Sequence, residues 1–125
     1  MAQKKLILLV EDDPTVSDLV KEVLVQHDFE VEKAFDGEEA LGKISAQHDL
    51  IILDLGLPKI SGLEVLKKIK QDEFHRSKPV IILTGRTDSN TIFDAMETGS
   101  YDYLIKPVKL EELIRTIKRA LLPRE

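Results

Sequence analysis

Short strand-like runs, most of them apolar, alternate five times along the chain with apolar stripes at helical spacing. The runs cover residues 6–10, 50–53, 80–83 and 101–105, with a more polar fifth, 30–34, between the first two. Between them, Val16, Leu19, Val20, Val23 and Leu24 recur at i, i+3, i+4, i+7 and i+8, the stripe of an amphipathic helix. Pro14 suits the first turn of that helix, where a missing N–H costs nothing. Residues 30–34, with Val31, Lys33 and Phe35 on one face, are more polar than the other strands, so this strand belongs at a sheet edge. Asp36 begins a second helix carrying Ala40, Leu41 and Ile44, and residues 59–62 form a turn before a third with Leu63, Val65, Leu66 and Ile69. After a loop at 73–78, Pro79 opens the strand 80–83. A short fourth helix at 88–97 centres on Ile92, Ala95 and Met96, with Gly99 as its C-cap. The last helix starts near Leu110 and runs through Leu113, Ile114, Ile117 and Leu121.

Near-continuous apolar strands are those of a parallel sheet covered on both faces, and right-handed crossovers wind it in both directions. The expected architecture is α/β: a doubly wound, flavodoxin-like (βα)5 domain whose parallel sheet has strand order 2-1-3-4-5. A chain of 125 residues is the size of one domain, so residues 1–125 are expected to form one, with no second domain after Leu121. With 5% aromatics and no Trp, aliphatic side chains must build the core. The absence of Cys removes disulfides, thiolate catalysis and zinc-finger ligation. No apolar run approaches the ~20 residues of a membrane helix, and a cytoplasmic protein is expected. A net charge of −5 argues against nonspecific nucleic-acid binding. The basic run Lys67-Lys68-Ile69-Lys70 reads as a solvated last helical turn.

Four apolar strands end in reactive side chains. These are Glu11, Asp12 and Asp13 after the first, Asp54 after the third, Thr84 after the fourth and Lys106 after the fifth. In the expected strand order the first and third strands are neighbours at the switch point where such sheets bind ligands, which places Glu11 and Asp12 beside Asp54. Three close carboxylates raise one another's pKa, so they share a proton or bind a cation. Mg²⁺ suits the second case, because it takes one or two carboxylates, keeps waters and accepts phosphate oxygens. Asp54 can then act as nucleophile toward a phosphoryl group, with Lys106 supplying positive charge and Thr84 a hydroxyl hydrogen bond. Asp13 is better placed as a helix cap than as a ligand. His27, His48 and His75 are scattered over helix ends and loops and read as solvated; Ser17, Ser45 and Ser61 suit turns or caps.

Val10-Glu11-Asp12-Asp13-Pro14, Asp54-Leu55-Gly56-Leu57-Pro58, Leu83-Thr84-Gly85 and the run from Gly99 to Pro107 together resemble the response-regulator receiver domain of two-component signalling. The resemblance covers essentially the whole chain. It implies a signalling phosphoacceptor, with its own phosphotransfer and slow dephosphorylation, more than an enzyme. Asp54 would be the phosphoacceptor, and Glu11, Asp12 and Asp54 would bind Mg²⁺ with the Gly56 carbonyl. Thr84 and Lys106 would contact the phosphoryl group, and the Lys106–Pro107 bond would be a cis turn. Tyr103 would change rotamer as Thr84 shifts. The implied donor is a sensor histidine kinase's phosphohistidine. The implied output face is the fourth helix, fifth strand and fifth helix, open to a downstream target, an output domain or a phosphorylation-dependent homodimer. Gly56 and Arg86 depart from the commonest pattern and flank the attacking water. A Mg²⁺-dependent aspartyl phosphatase would want an acid two residues after Asp54, where Gly56 stands. A third reading is a flavin-binding or purely structural interaction domain on the same sheet; FMN binding would want a Ser/Thr/Gly-rich phosphate loop after the first strand, where the acids lie.

Overall fold

The computed structural model describes residues 3–123; Met1, Ala2, Arg124 and Glu125, the two ends of the expected domain, lie outside the described residues. Five strands and five helices alternate: β1 (Leu6–Val10), α1 (Pro14–Gln26), β2 (Glu30–Ala34), α2 (Gly37–Lys43), β3 (His48–Leu53), α3 (Gly62–Gln71), β4 (Val80–Thr84), α4 (Ser89–Thr98), β5 (Asp102–Ile105) and α5 (Leu110–Ala120). The strands form one parallel sheet in the order β2-β1-β3-β4-β5. This is the predicted flavodoxin-like (βα)5 architecture.

Alternation along the strands divides the core. Ile7 and Leu9 of β1, Leu50 and Ile52 of β3, and Ile81 and Leu83 of β4 pack beneath α1 and α5, against Val20, Leu24, Leu113 and Ile117. Leu8, Val10, Ile51, Leu53, Val80 and Ile82 face the other way, onto Ala40 of α2, Val65, Leu66 and Ile69 of α3, and Ala95 of α4. Each fully buried Leu or Ile contributes about 1.5–3 kcal/mol relative to exposure. β2 at its edge is more exposed, as its composition requires.

The helix starts are set by side-chain caps. Asp13 accepts from the Thr15 amide at 2.9 Å, Asp36 from Glu39 at 2.8 Å, Ser61 from Glu64 at 3.2 Å and Asp88 from Thr91 at 3.1 Å. Asp36 and Asp88 therefore stand just before their helices. Gly99 closes α4 at φ 114°, a left-handed conformation that favours glycine.

β3 begins at His48, two residues earlier than the apolar run, because polar side chains secure its start. Asp49 accepts from the Leu6 amide at 2.9 Å, and the His48 carbonyl accepts from Lys78 Nζ at 2.8 Å. His48 is not solvated as expected: it is 2% exposed, with Nε2 2.7 Å from Glu32 Oε1. Since Nδ1 accepts from the Ser45 amide at 3.1 Å, the ring proton resides on Nε2 and is donated to Glu32. His75 is half-buried, and His27 is exposed as expected.

Candidate functional site

Register delivers the acids to one edge. Val10 pairs with Ala34 and Leu53, and the ladder continues one residue further, with the Asp54 amide donating to the Val10 carbonyl and Glu11 to Ala34, both at 3.0 Å. Glu11 and Asp54 therefore emerge side by side. Both are buried, 3% and 7% exposed, while Asp12 points to solvent. One carboxylate oxygen from each of Glu11, Asp12 and Asp54 lies within 4.8 Å of the others. Asp13 turns away to cap α1, as its position predicted.

The cation arrives from the far side of the sheet. Thr84 is paired with Ile105, and the Lys106 amide donates to the Thr84 carbonyl at 2.9 Å, so Lys106 leaves β5 beside the end of β4. The Lys106–Pro107 bond is cis, as the resemblance implied. Lys106 Nζ donates to Glu11 Oε1 at 2.6 Å and to Asp54 Oδ2 at 3.0 Å. The other oxygen of Asp54 accepts from the Gly56 amide at 3.0 Å, and Glu11 Oε2 accepts from the Asp13 amide at 3.1 Å. Thr84 is 1% exposed beneath this cluster.

The two buried acids are driven in opposite directions. Burial pushes the Glu11 carboxyl above its ordinary range, and the charge on Asp54 adds to the effect; Lys106 and the Asp13 amide oppose it without reversing it. Burial also works against ionising Asp54, but the Gly56 amide, Lys106 and the Thr84 hydroxyl outweigh it and hold this carboxyl below the usual range. Lys106 loses hydration by burial, yet its bonds to Glu11 and Asp54 raise its pKa. Asp54 is thus the group kept ionised, which is the condition for a carboxylate nucleophile. The donor set is hard oxygen throughout, which fits a small divalent cation better than a soft one.

Tyr103 does not touch the carboxylates. Its hydroxyl donates to the Arg86 carbonyl at 2.8 Å, while the half-buried ring packs against the core beneath α3 and α4. Glu11, Asp12, Asp54, Thr84 and Lys106 are brought together; Tyr103 stands one shell out, and Pro107 forms the turn that follows Lys106. Sequence reasoning missed the direct Lys106–Glu11 bond, which joins residues 95 apart, and the part played by Arg86 around Tyr103. The register of β1 against β3 and of β4 against β5 could have suggested the first; nothing in the sequence signals the second.

A family model described as the response regulator receiver domain matches residues 7–118. The chain is 39% identical over 120 residues to "Response regulator ArlR" of Staphylococcus aureus (strain Mu50 / ATCC 700699), covering 95% of this chain and 53% of the relative. It therefore spans about half the length of the curated relatives it matches. Among solved structures, a response regulator receiver domain protein (CheY-like) from Methanospirillum hungatei JF-1 superposes with TM-score 0.89 at 31% identity, over 94% of each chain. Chemotaxis response regulator CheY4 of Vibrio cholerae gives TM-score 0.87 at 31% identity, over 94% of this chain and 99% of that one.

Proposed function

The chain belongs to the response regulator receiver domain family, and from that premise we propose that it is a phosphoacceptor switch in which Asp54 takes the phosphoryl group. The observation that carries this reading is the placement of Asp54: an ionised carboxylate between the Lys106 ammonium and two further carboxylates at the sheet's switch point. Asp54 attacks phosphorus in line, the bond to the donor imidazole nitrogen breaks, and its electron pair leaves on the ring. The donor is the phosphohistidine of a sensor histidine kinase, and the setting is the cytoplasm.

Glu11, Asp12 and Asp54, with the Gly56 carbonyl, would hold Mg²⁺, which neutralises clustered anionic oxygens when bound. Lys106 faces the transferred group and holds its oxygens by charge, while the Thr84 hydroxyl donates to one of them. Gly56 offers Asp54 only its backbone amide, so no side-chain acid stands there to protonate a leaving group; this favours the switch over a phosphatase. A phosphoryl group adds about −1.5 to −2 charge, and Thr84 and Lys106 must rearrange around it. Tyr103 follows Thr84, and α4, β5 and α5 present the result to a target, an output domain or a second copy. Slow attack of water on the aspartyl phosphate resets the state.

Incubation with Mg²⁺ and acetyl phosphate, followed by intact-mass measurement, tests this directly. One phosphoryl group is expected on the chain and none on Asp54→Asn. No uptake by the folded wild-type protein, or equal uptake by the variant, refutes the reading.

A further inference from the structure

Thr84 and Tyr103 sit on adjacent strands, but among the described residues no hydrogen bond joins their side chains. Arg86 lies between them and touches both. Its amide donates to Thr84 Oγ1 in a long bond of 3.5 Å, and its carbonyl accepts from the Tyr103 hydroxyl at 2.8 Å. Its guanidinium divides between two acceptors of the first turn of α4: Nε donates to Asp88 Oδ1 at 3.1 Å and Nη2 to Thr91 Oγ1 at 3.2 Å. Asp88 is itself the cap of α4, accepting from both the amide and the hydroxyl of Thr91. One residue therefore spans the end of β4, the ring on β5 and the start of α4.

The connecting segment has little else to hold it. Residues 85–88 are all exposed, and a Cβ at Gly85 would meet no atom within 4 Å. Thr91 is 7% exposed, so the guanidinium reaches a fixed point in the fold. An exposed Arg–Asp pair contributes little to stability. A fork with two separate acceptors does fix position, which a single ammonium cannot do.

We propose that the Arg86 side chain is a positioning group that ties the segment after Thr84 to the first turn of α4, so that movement of Thr84 toward a phosphoryl group on Asp54 is delivered to α4. The inference rests on the phosphoacceptor reading and adds to it the path by which the signal leaves the site. Without the tether, segment 85–88 absorbs the displacement.

The test uses the ¹⁵N-labelled chain with Mg²⁺ and beryllofluoride, which does not turn over and so removes any effect on hydrolysis. In the wild type, amides near Asp54 and Thr84 and those of residues 91–98 and 102–104 all shift. In Arg86→Ala the amides near Asp54 and Thr84, and residues 102–104, which Arg86 meets through its backbone carbonyl, should shift as before, and residues 91–98 at least threefold less. Arg86→Lys should behave like Arg86→Ala. Should Arg86→Ala lose α4 before beryllofluoride is added, Arg86→Gln, with its shorter amide and no fork, is read in the same way. Full wild-type shifts across α4 in these variants overturn the proposal. Failure of the phosphoacceptor reading looks different: the wild-type amides around Asp54 themselves stay still.

Discussion

Replacing Asp12 by Asn should make the protein more stable while removing its response to Mg²⁺. Asp12 is exposed and makes no hydrogen bond among the described residues that the replacement would break, so the change is chiefly the loss of one negative charge. Its carboxylate oxygen lies within 4.8 Å of those of Glu11 and Asp54. At that separation two unit charges repel by about 3.5 kcal/mol at an effective dielectric of about 20, and by about 0.9 at about 80. Exposure puts Asp12 near the lower figure, and Lys106 offsets part of the repulsion from its two neighbours. A net gain of about 1 kcal/mol is expected. For 125 residues, an unfolding entropy of about 2.1 cal/mol/K per residue converts this to a Tm rise of about 4 °C. Mg²⁺ should reverse the ranking: at about ten times its Kd a ligand adds about 1.4 kcal/mol to the wild type and nothing to a chain that cannot bind it. Circular-dichroism melts at low ionic strength, with and without MgCl₂, test both halves, and added NaCl should shrink the metal-free difference. An Asp12→Asn protein that melts below the wild type without metal, or that gains as much from Mg²⁺, refutes the electrostatic account.

Lys106→Ala leaves Glu11 and Asp54 facing each other without their shared ammonium. Breaking a fully buried pair costs about 3–5 kcal/mol, and the partial exposure of Lys106 reduces this to about 1–3 at neutral pH, measurable by urea unfolding. Because burial already raises the Glu11 carboxyl, its ionised form is the penalised one, so the deficit should shrink as the pH falls toward about 5; a deficit constant with pH contradicts the assignment. Gly62→Ala should cost roughly 3 kcal/mol or prevent folding, since a Cβ there would lie 2.2 Å from the Asp54 carbonyl oxygen; a urea midpoint near that of the wild type sinks this. Asp88 is held at about 2, first by the Thr91 hydroxyl bond. Its folded pKa lies below the unfolded value of about 3.9, so the cap is complete above that value and lost as the pH falls through about 2. A carboxyl titration by NMR with a midpoint near 4 would contradict it.

The sheet order and the meeting of Glu11, Asp54, Thr84 and Lys106 at one edge were legible because four strands stop at, or just before, a polar side chain. Leu53 is core and Asp54 is site, and a single step in sequence separates the two environments. The cap at Asp13 was legible for the same local reason. What could not be read were pairings made by side chains of remote segments. His48 looks like a loop histidine because its partner, Glu32, lies on β2, across β1 from β3. Lys106 was placed at the right edge, but its direct bond to Glu11 depends on side-chain reach, which hydrophobic period does not encode. Arg86 sits in an exposed segment without periodicity, where composition is silent.

The close approach of Gly62 to the backbone of Asp54 gives the molecule a stiff side. Helix α3 is rooted with no clearance behind the residue that would receive the new group, and the Gly62 amide is bonded to the Leu55 carbonyl at 3.1 Å. Packed protein yields little to compression, so recoil from that residue has no room toward α3. Among the described residues, slack lies toward the neighbouring strand β4, in the thinly supported stretch 85–88 before α4. A disturbance at the centre is thereby steered one way, and the message acquires its direction from where the matter is densest.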